Sequence, residues 1–563
     1  MPITEINKTR KLFASLAIGL IALTPAAGFA QTALTPGEAR TTHAFDAAKK
    51  LGTPDLYAFL KPMPKGADLH MHLGGANYAE NVIAEGVKQG LCIDPVAVRT
   101  SQPVTGPDAP CGAGKILLSE AVNNQKMYDH FIDTASMRSF VPTAGDSGHD
   151  HFFDAFGHLG GGGRGSTALS LDEVATRAAA QNEQYLEIMS YPGPRPAGAG
   201  PRGAGVGPAA AGATPGAPGA GRRGAGGGGR SSTLTWPEDA ETTVTTDELA
   251  KLRDEILATG LRDQIPNSIK EVDNTEAQLR TMEKCSEKPL PASSPCNIKI
   301  HYLYSVSRGA QPMQVFTSMV TGFELNMADP RLVGINILAP EDGRVSMRDY
   351  HLQMLMFEYL HSVYPKVHLS LHAGELAPGL VPPEGLRFHI REAVELAHAE
   401  RIGHGVDVLY EDDAAGLLKE MAAKHIMVEI NLTSNDVILG VKGIDHPLSG
   451  YRAAHVPVAL STDDEGVSRI DLTHEYVKGA FEQNLSYVDL KQMARTSLEH
   501  SFLYGETLWA APDDFNHRKA ACAAPITATS KPTVACAALL QANEKAAEEW
   551  EMERRFAVFE AAH

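Results

Sequence analysis

Eight short apolar runs, each ending in polar residues, recur along the chain. They are Ala67–Leu73, Tyr185–Ser190, Ile298–Ser305, Leu332–Leu338, Val367–His372, Arg401–Val406, Ile426–Leu432 and Val456–Thr462. Between them lie stretches of helical periodicity, among them Met347–Tyr364, Phe388–Ala399 and Asp412–Ala423. Eight strand-like runs separated mostly by helices predict an α/β fold, a closed parallel (β/α)8 TIM barrel. An open doubly wound sheet fits the alternation almost as well, but no Gly-rich phosphate turn follows the first run.

A barrel needs about 250 residues, and the chain has 563, so large additions are expected. Residues 1–30 read as a secretory signal peptide. Lys8, Arg10 and Lys11 precede an apolar run from Leu12 to about Leu23, and Gly28-Phe29-Ala30 places small residues at a cleavage site before Gln31. A membrane anchor would need roughly 20 apolar residues; this run is shorter and Pro25 breaks it. Residues 31–60 read as an N-terminal helical extension, with Thr42–Lys50 and Leu56–Leu60 as its helical stretches. The barrel is expected over 61–510. Residues 511–563 form a C-terminal extension ending in a charged helical stretch, Ala542–Ala561, whose place is open: over the barrel base or in association.

Within 61–510, three insertions stand out: cysteine loops at 92–111 and 285–296, and a Gly/Ala/Pro/Arg segment at 192–232. That last segment cannot bury enough apolar surface to offset its chain entropy and reads as a disordered surface loop. Gly160 to Gly163 marks another flexible connection. A formal net charge of −18 argues against a nucleic-acid binder. The six cysteines fall into three sequence-local pairs, Cys92 with Cys111, Cys285 with Cys296, and Cys522 with Cys536, and no CxxC spacing occurs. In an oxidising compartment these read as disulfides, the pairing being one of fifteen. Export to the periplasm or the medium, and no membrane association after cleavage, are the resulting expectations.

The polar residues gather at the C-terminal ends of the runs, where a barrel enzyme places its chemistry. The first run ends in Asp68-Leu69-His70-Met71-His72, and two histidines at i and i+2 of a strand point the same way. The fifth ends in His372-Ala373-Gly374-Glu375, the sixth carries Arg401-Ile402-Gly403-His404-Gly405, and the eighth ends in Ser461-Thr462-Asp463-Asp464. Adjacent carboxylates repel unless one binds a cation. Each piece alone has a bland reading, such as surface histidines or a helix cap. Together, three histidines and a carboxylate suit one Zn2+ per chain with a position left for water, and Glu375 and His404 remain as proton carriers.

At these residues the chain resembles the adenosine deaminase family, including its secreted growth-factor-like branch. The matching segments run from Met63-Pro64-Lys65 to His72-Leu73, then through His372–Glu375, Ile390–Val394, Arg401–Gly405, Thr433-Ser434-Asn435, His446-Pro447 and Ser461–Asp464, in family order. The resemblance implies that His70, His72, His372 and Asp463 bind zinc. It also implies that Glu375 protonates N1 of a 6-aminopurine, that His404 orients the attacking water and assists its deprotonation, and that Asp464 hydrogen-bonds N7. Hydrolytic deamination of adenosine or 2′-deoxyadenosine is the implied activity. A binding or signalling protein on the same barrel is the reading from another class.

Three positions depart from the family pattern. Gly74 stands where an aspartate meets the ribose 5′ hydroxyl, Ala339 where a glycine N–H meets purine N3, and Glu465 where a proline follows the paired aspartates. These departures widen the substrate to other 6-aminopurines, whether N6-substituted nucleosides, adenine or a nucleotide. Arg308, after the third run, is the one cation near the motifs that a phosphate could meet, a structural ion pair being the alternative. The expected partner is a small-molecule purine nucleoside, not nucleic acid, and the N-terminal additions leave a homodimer open.

Overall fold

The computed structural model describes residues 34–104, 111–159, 166–194 and 244–563. The expected signal peptide, the glycine run at 160–163 and residues 195–232 of the Gly/Ala/Pro/Arg segment lie outside them.

Eight parallel strands form one sheet in sequential order: β1 (Gly66–Met71), β2 (Glu183–Met189), β3 (Lys299–Ser307), β4 (Leu332–Leu338), β5 (His368–Ala373), β6 (Arg401–His404), β7 (Met427–Ile430) and β8 (Val458–Leu460). Each corresponds to one of the apolar runs. The sheet closes just beyond β8, where the Asp463 N–H donates to the His70 carbonyl at 2.8 Å and the His72 N–H donates to the Asp463 carbonyl at 3.2 Å. The closure is a (β/α)8 barrel, and its seam runs through three of the residues singled out for metal binding.

Two helices, Pro36–Leu51 and Thr53–Leu60, precede the barrel; Thr35 and Glu38 cap the first reciprocally. The last helix, Glu544–Ala561, packs its buried Met552, Phe556 and Phe559 into the main core. It reaches the N-terminal ends of the first strands: Gln184 Nε2 donates to the Glu548 carbonyl at 3.2 Å, and Arg555 Nη1 to Asn182 Oδ1 at 3.1 Å. The tail therefore covers the barrel base, at the N-terminal ends of the strands.

The cysteine loop between β1 and β2 holds a three-stranded antiparallel sheet, Cys92–Asp94, Arg99–Ser101 and Ile116–Leu117. It has its own small core around Ile93, Val98, Leu118 and Phe131. Disulfides join Cys92 to Cys111, Cys285 to Cys296, and Cys522 to Cys536. Loops of this size stabilise by about 3 kcal/mol each in the chain-entropy model. Among the described residues, no helix is long and apolar enough to cross a membrane.

Candidate active site

His70 and His72 leave the end of β1, His372 sits on β5, and Asp463 follows β8. One ligand atom from each lies within 4.8 Å of the others. His72 Nε2 is 3.2 Å from both Asp463 Oδ1 and His372 Nε2, and His70 Nε2 is 3.6 Å from Asp463 Oδ1. The far side of two rings is fixed. His70 donates from Nδ1 to Glu429 at 2.6 Å, and His372 from Nδ1 to Asn336 Oδ1 at 2.7 Å. Each ring is thereby left with Nε2 facing its neighbours in the group.

His70 Nε2 is buried without a hydrogen-bond partner. Burial works against a charge on His70, but the nearby Asp463 carboxylate and the hydrogen-bonded Glu429 outweigh it and hold its imidazolium up to about 10. Asp463 stays well below the usual carboxylate range, its burial overcome by His70 and His72. The two carboxylates thus call for a cation at this point. A metal ion on three imidazoles and Asp463 fits that demand, and neutral imidazole nitrogens oriented by outer partners are the form in which histidine ligates. Backbone sterics keep the group tight: a Cβ at Gly403 would sit 2.6 Å from His70 Cε1.

Beside this group, His404 Nε2 stands 3.7 Å from Glu375 Oε1 and 3.9 Å from Asp463 Oδ2. Burial raises Glu375 well above the carboxylate range, reinforced by the charges of Asp463 and Glu341. Burial lowers His404 to about 3. Burial thus opposes the charged form of both side chains. Asp464 is also raised, by burial and then by Asp463, and its carboxyl packs so closely on the β1 turn that a Cβ at Gly75 would lie 1.8 Å from Oδ1.

A cavity of about 440 Å³ opens over these groups. Gly74 and Ala339 line it, as do Phe152, Phe153 and Phe156 at the helix Gly148–Ala155. Ala339 has φ +99°, His404 +70° and Asp463 +60°, the left-handed region that non-glycine residues avoid. Such strain persists only where the surroundings impose it, and it clusters at functional sites.

Arg308 is not free to meet a phosphate. It is fully buried, donates from Nη2 to the His372 carbonyl at 2.6 Å and pairs through Nη1 with Glu341 at 3.6 Å. Glu341 in turn accepts from the N–H groups of Gly374 at 3.0 Å and Glu375 at 2.9 Å. One ion pair from the ends of β3 and β4 therefore grips both ends of the segment His372–Glu375. Glu465 is buried and ion-paired with Arg177, whose Nη1 also donates to the Ala76 carbonyl at 3.1 Å. That pair ties the β8 end to the turn carrying Gly74.

Sequence reasoning overlooked Glu429, Asn336 and Glu341. The first two had a signal: each is a polar residue in the middle of an apolar run.

The mouth of a closed parallel barrel thus gathers three histidines and an aspartate that could hold a metal ion, with Glu375 and His404 beside them. Residues 274–508 match the family model described as adenosine deaminase. Adenosine deaminases of Clostridium perfringens and Escherichia coli are 36% and 37% identical to this chain over 135 and 140 residues, 24% and 25% of its length. Those alignments span 37% and 39% of the relatives themselves, so the chain spans about two fifths of the curated relatives it matches. The structure of adenine deaminase from Arthrobacter aurescens is similar at 15% identity and a TM-score of 0.40, over 78% of this chain and 94% of that one. The likeness to the adenosine deaminase family is thus carried by residues 274–508.

Proposed function

We propose that this protein is an exported, zinc-dependent hydrolase that converts adenosine or 2′-deoxyadenosine to inosine or 2′-deoxyinosine and ammonia. The observation that carries the reading is the pairing of two groups at one mouth: ligand atoms of His70, His72, His372 and Asp463 within 4.8 Å, and Glu375 with His404 directly beside them.

His70, His72, His372 and Asp463 would hold one Zn2+. When bound, the ion supplies Lewis-acid activation of water at neutral pH. Glu375, kept protonated by its surroundings, gives its proton to N1 of the purine, which makes C6 electrophilic. The water oxygen bonds to C6, and the water yields one proton to the Glu375 carboxylate. Its second proton leaves with the amine as ammonia when the C6–N bond breaks. Asp464, held as a neutral acid, donates to N7; the N–H of Ala339 meets N3; His404 orients the water.

A second reading, another 6-aminopurine as substrate, is favoured by Gly74. A site without a partner for a sugar hydroxyl discriminates little on that hydroxyl. The test is a panel of adenosine, 2′-deoxyadenosine, adenine, AMP and an N6-methyl nucleoside with zinc analysis of the same sample. Fastest turnover of the two nucleosides supports the first reading, and a faster panel member supports the second. No turnover by protein holding one zinc per chain would leave a binding protein on this barrel.

A further inference from the structure

Which ring nitrogen of His404 carries the proton is decided by a chain of hydrogen bonds that starts from a backbone amide. Leu448 opens the short helix Leu448–Ala453, so its N–H has no carbonyl partner within that helix. It donates instead to His446 Nδ1 at 3.2 Å. A backbone N–H is always a donor, so His446 Nδ1 is an acceptor and His446 carries its proton on Nε2. That nitrogen lies 3.0 Å from Asn435 Oδ1, which accepts. The amide orientation follows: Asn435 Nδ2 faces His404 Nδ1 at 3.0 Å and donates to it. Asn431 presents a second amide nitrogen 3.5 Å from the same atom. With Nδ1 an acceptor, the proton of His404 is on Nε2, the nitrogen aimed at Glu375 and Asp463 and buried without a hydrogen-bond partner.

We propose that Asn435 and His446 are positioning residues that lock His404 as its Nε2–H tautomer, a fixed hydrogen-bond donor to the reacting oxygen. This rests on the deaminase reading of the site and refines it. A proton on His404 Nδ1 would face the Asn435 amide N–H at 3.0 Å. Turning Asn435 over would then set its NH2 against His446 Nε2–H, and moving the His446 proton to Nδ1 would set it against the Leu448 N–H. Every link of the chain keeps Nδ1 of His404 an acceptor. His404 therefore holds and polarises the water through Nε2–H, and the water's proton goes to Glu375. Neither Asn435 nor His446 touches the reacting atoms.

The experiment is 15N spectroscopy of the histidine rings in the full-length, zinc-loaded protein, with His404 assigned by its loss in His404→Gln. The expected signature is a protonated Nε2 and an unprotonated Nδ1 for both His404 and His446. A proton on His404 Nδ1 overturns the proposal. Asn435→Asp puts an acceptor against Nδ1 and should move the His404 proton there. In the same variant kcat should fall by about 10²-fold or more, as wrong-tautomer variants do, with KM within threefold and zinc still bound. An Asn435→Asp protein with an unmoved His404 proton, or with kcat within threefold of the parent, overturns it equally. If that variant does not fold, the spectrum of the parent decides alone. A parent that turns over no aminopurine would defeat the deaminase reading without touching the tautomer.

Discussion

Nδ1 of His70 and Oε2 of Glu429 lie 2.6 Å apart, both fully buried inside the barrel. Glu429 also accepts from Ser370 Oγ at 2.7 Å and from Arg401 Nε at 2.7 Å, and Arg401 bridges on to Glu187 at 2.6 Å. The ring of His70 is thus oriented from behind by a chain of charges. Replacing Glu429 with glutamine should weaken zinc affinity 10- to 100-fold, read by competition with a chelator of known affinity. Unchanged affinity would show that the ligand set orients itself.

The barrel was legible because each strand is an apolar run, and four of those runs end in the polar residues of the candidate site. The three disulfides were legible because their partners are near in sequence. The supporting carboxylates were not. Glu341 lies beyond the end of β4, and its role depends on two backbone N–H groups more than thirty residues away. The small sheet at 92–117 was hidden for another reason: its strands are two or three residues long, below the length at which alternation can be read.

The grip of Arg308 and Glu341 on the segment His372–Glu375 gives a second expectation. Glu341→Gln removes the charge that Arg308 and His389 share, the latter at 2.5 Å from Glu341 Oε1. The kcat should drop by about one to two orders of magnitude, in line with the cost of misplacing a catalytic group. Binding of the product nucleoside should stay within a few-fold. Equal losses in product binding and kcat would mean that the pocket, not Glu375, had moved.

Ala339 holds a backbone conformation suited to glycine, φ +99°. Ala339→Gly keeps the N–H and relieves strain, so the protein should gain roughly 1 kcal/mol with activity unchanged. Thermal unfolding of the zinc-loaded protein is the measurement. A lower midpoint would place the strain elsewhere.

His149 on the helix Gly148–Ala155 faces Asp342, beyond β4, at 3.1 Å across the mouth. Burial lowers its pKa, but Asp342 and then Asp150 outweigh this and raise it to about 9. A raised folded pKa means that the contact contributes fully below about 6.5 and is lost as pH climbs through about 9. Hydrogen exchange over residues 148–155, corrected for its intrinsic pH dependence, should therefore show protection falling between pH 7 and pH 10. His149→Gln should remove that pH dependence; its persistence in the variant would rule out this pair as the cause.

Glu375→Gln, prepared beside the parent with zinc measured in both, bears most directly on the deaminase reading. The parent should convert adenosine to inosine with one ammonia released per turnover. The variant should hold the same zinc, bind inosine normally and lose at least 10²-fold in kcat, the scale of removing a positioned proton donor. A Glu375→Gln protein that deaminates adenosine at the parent's rate would contradict the mechanism outright.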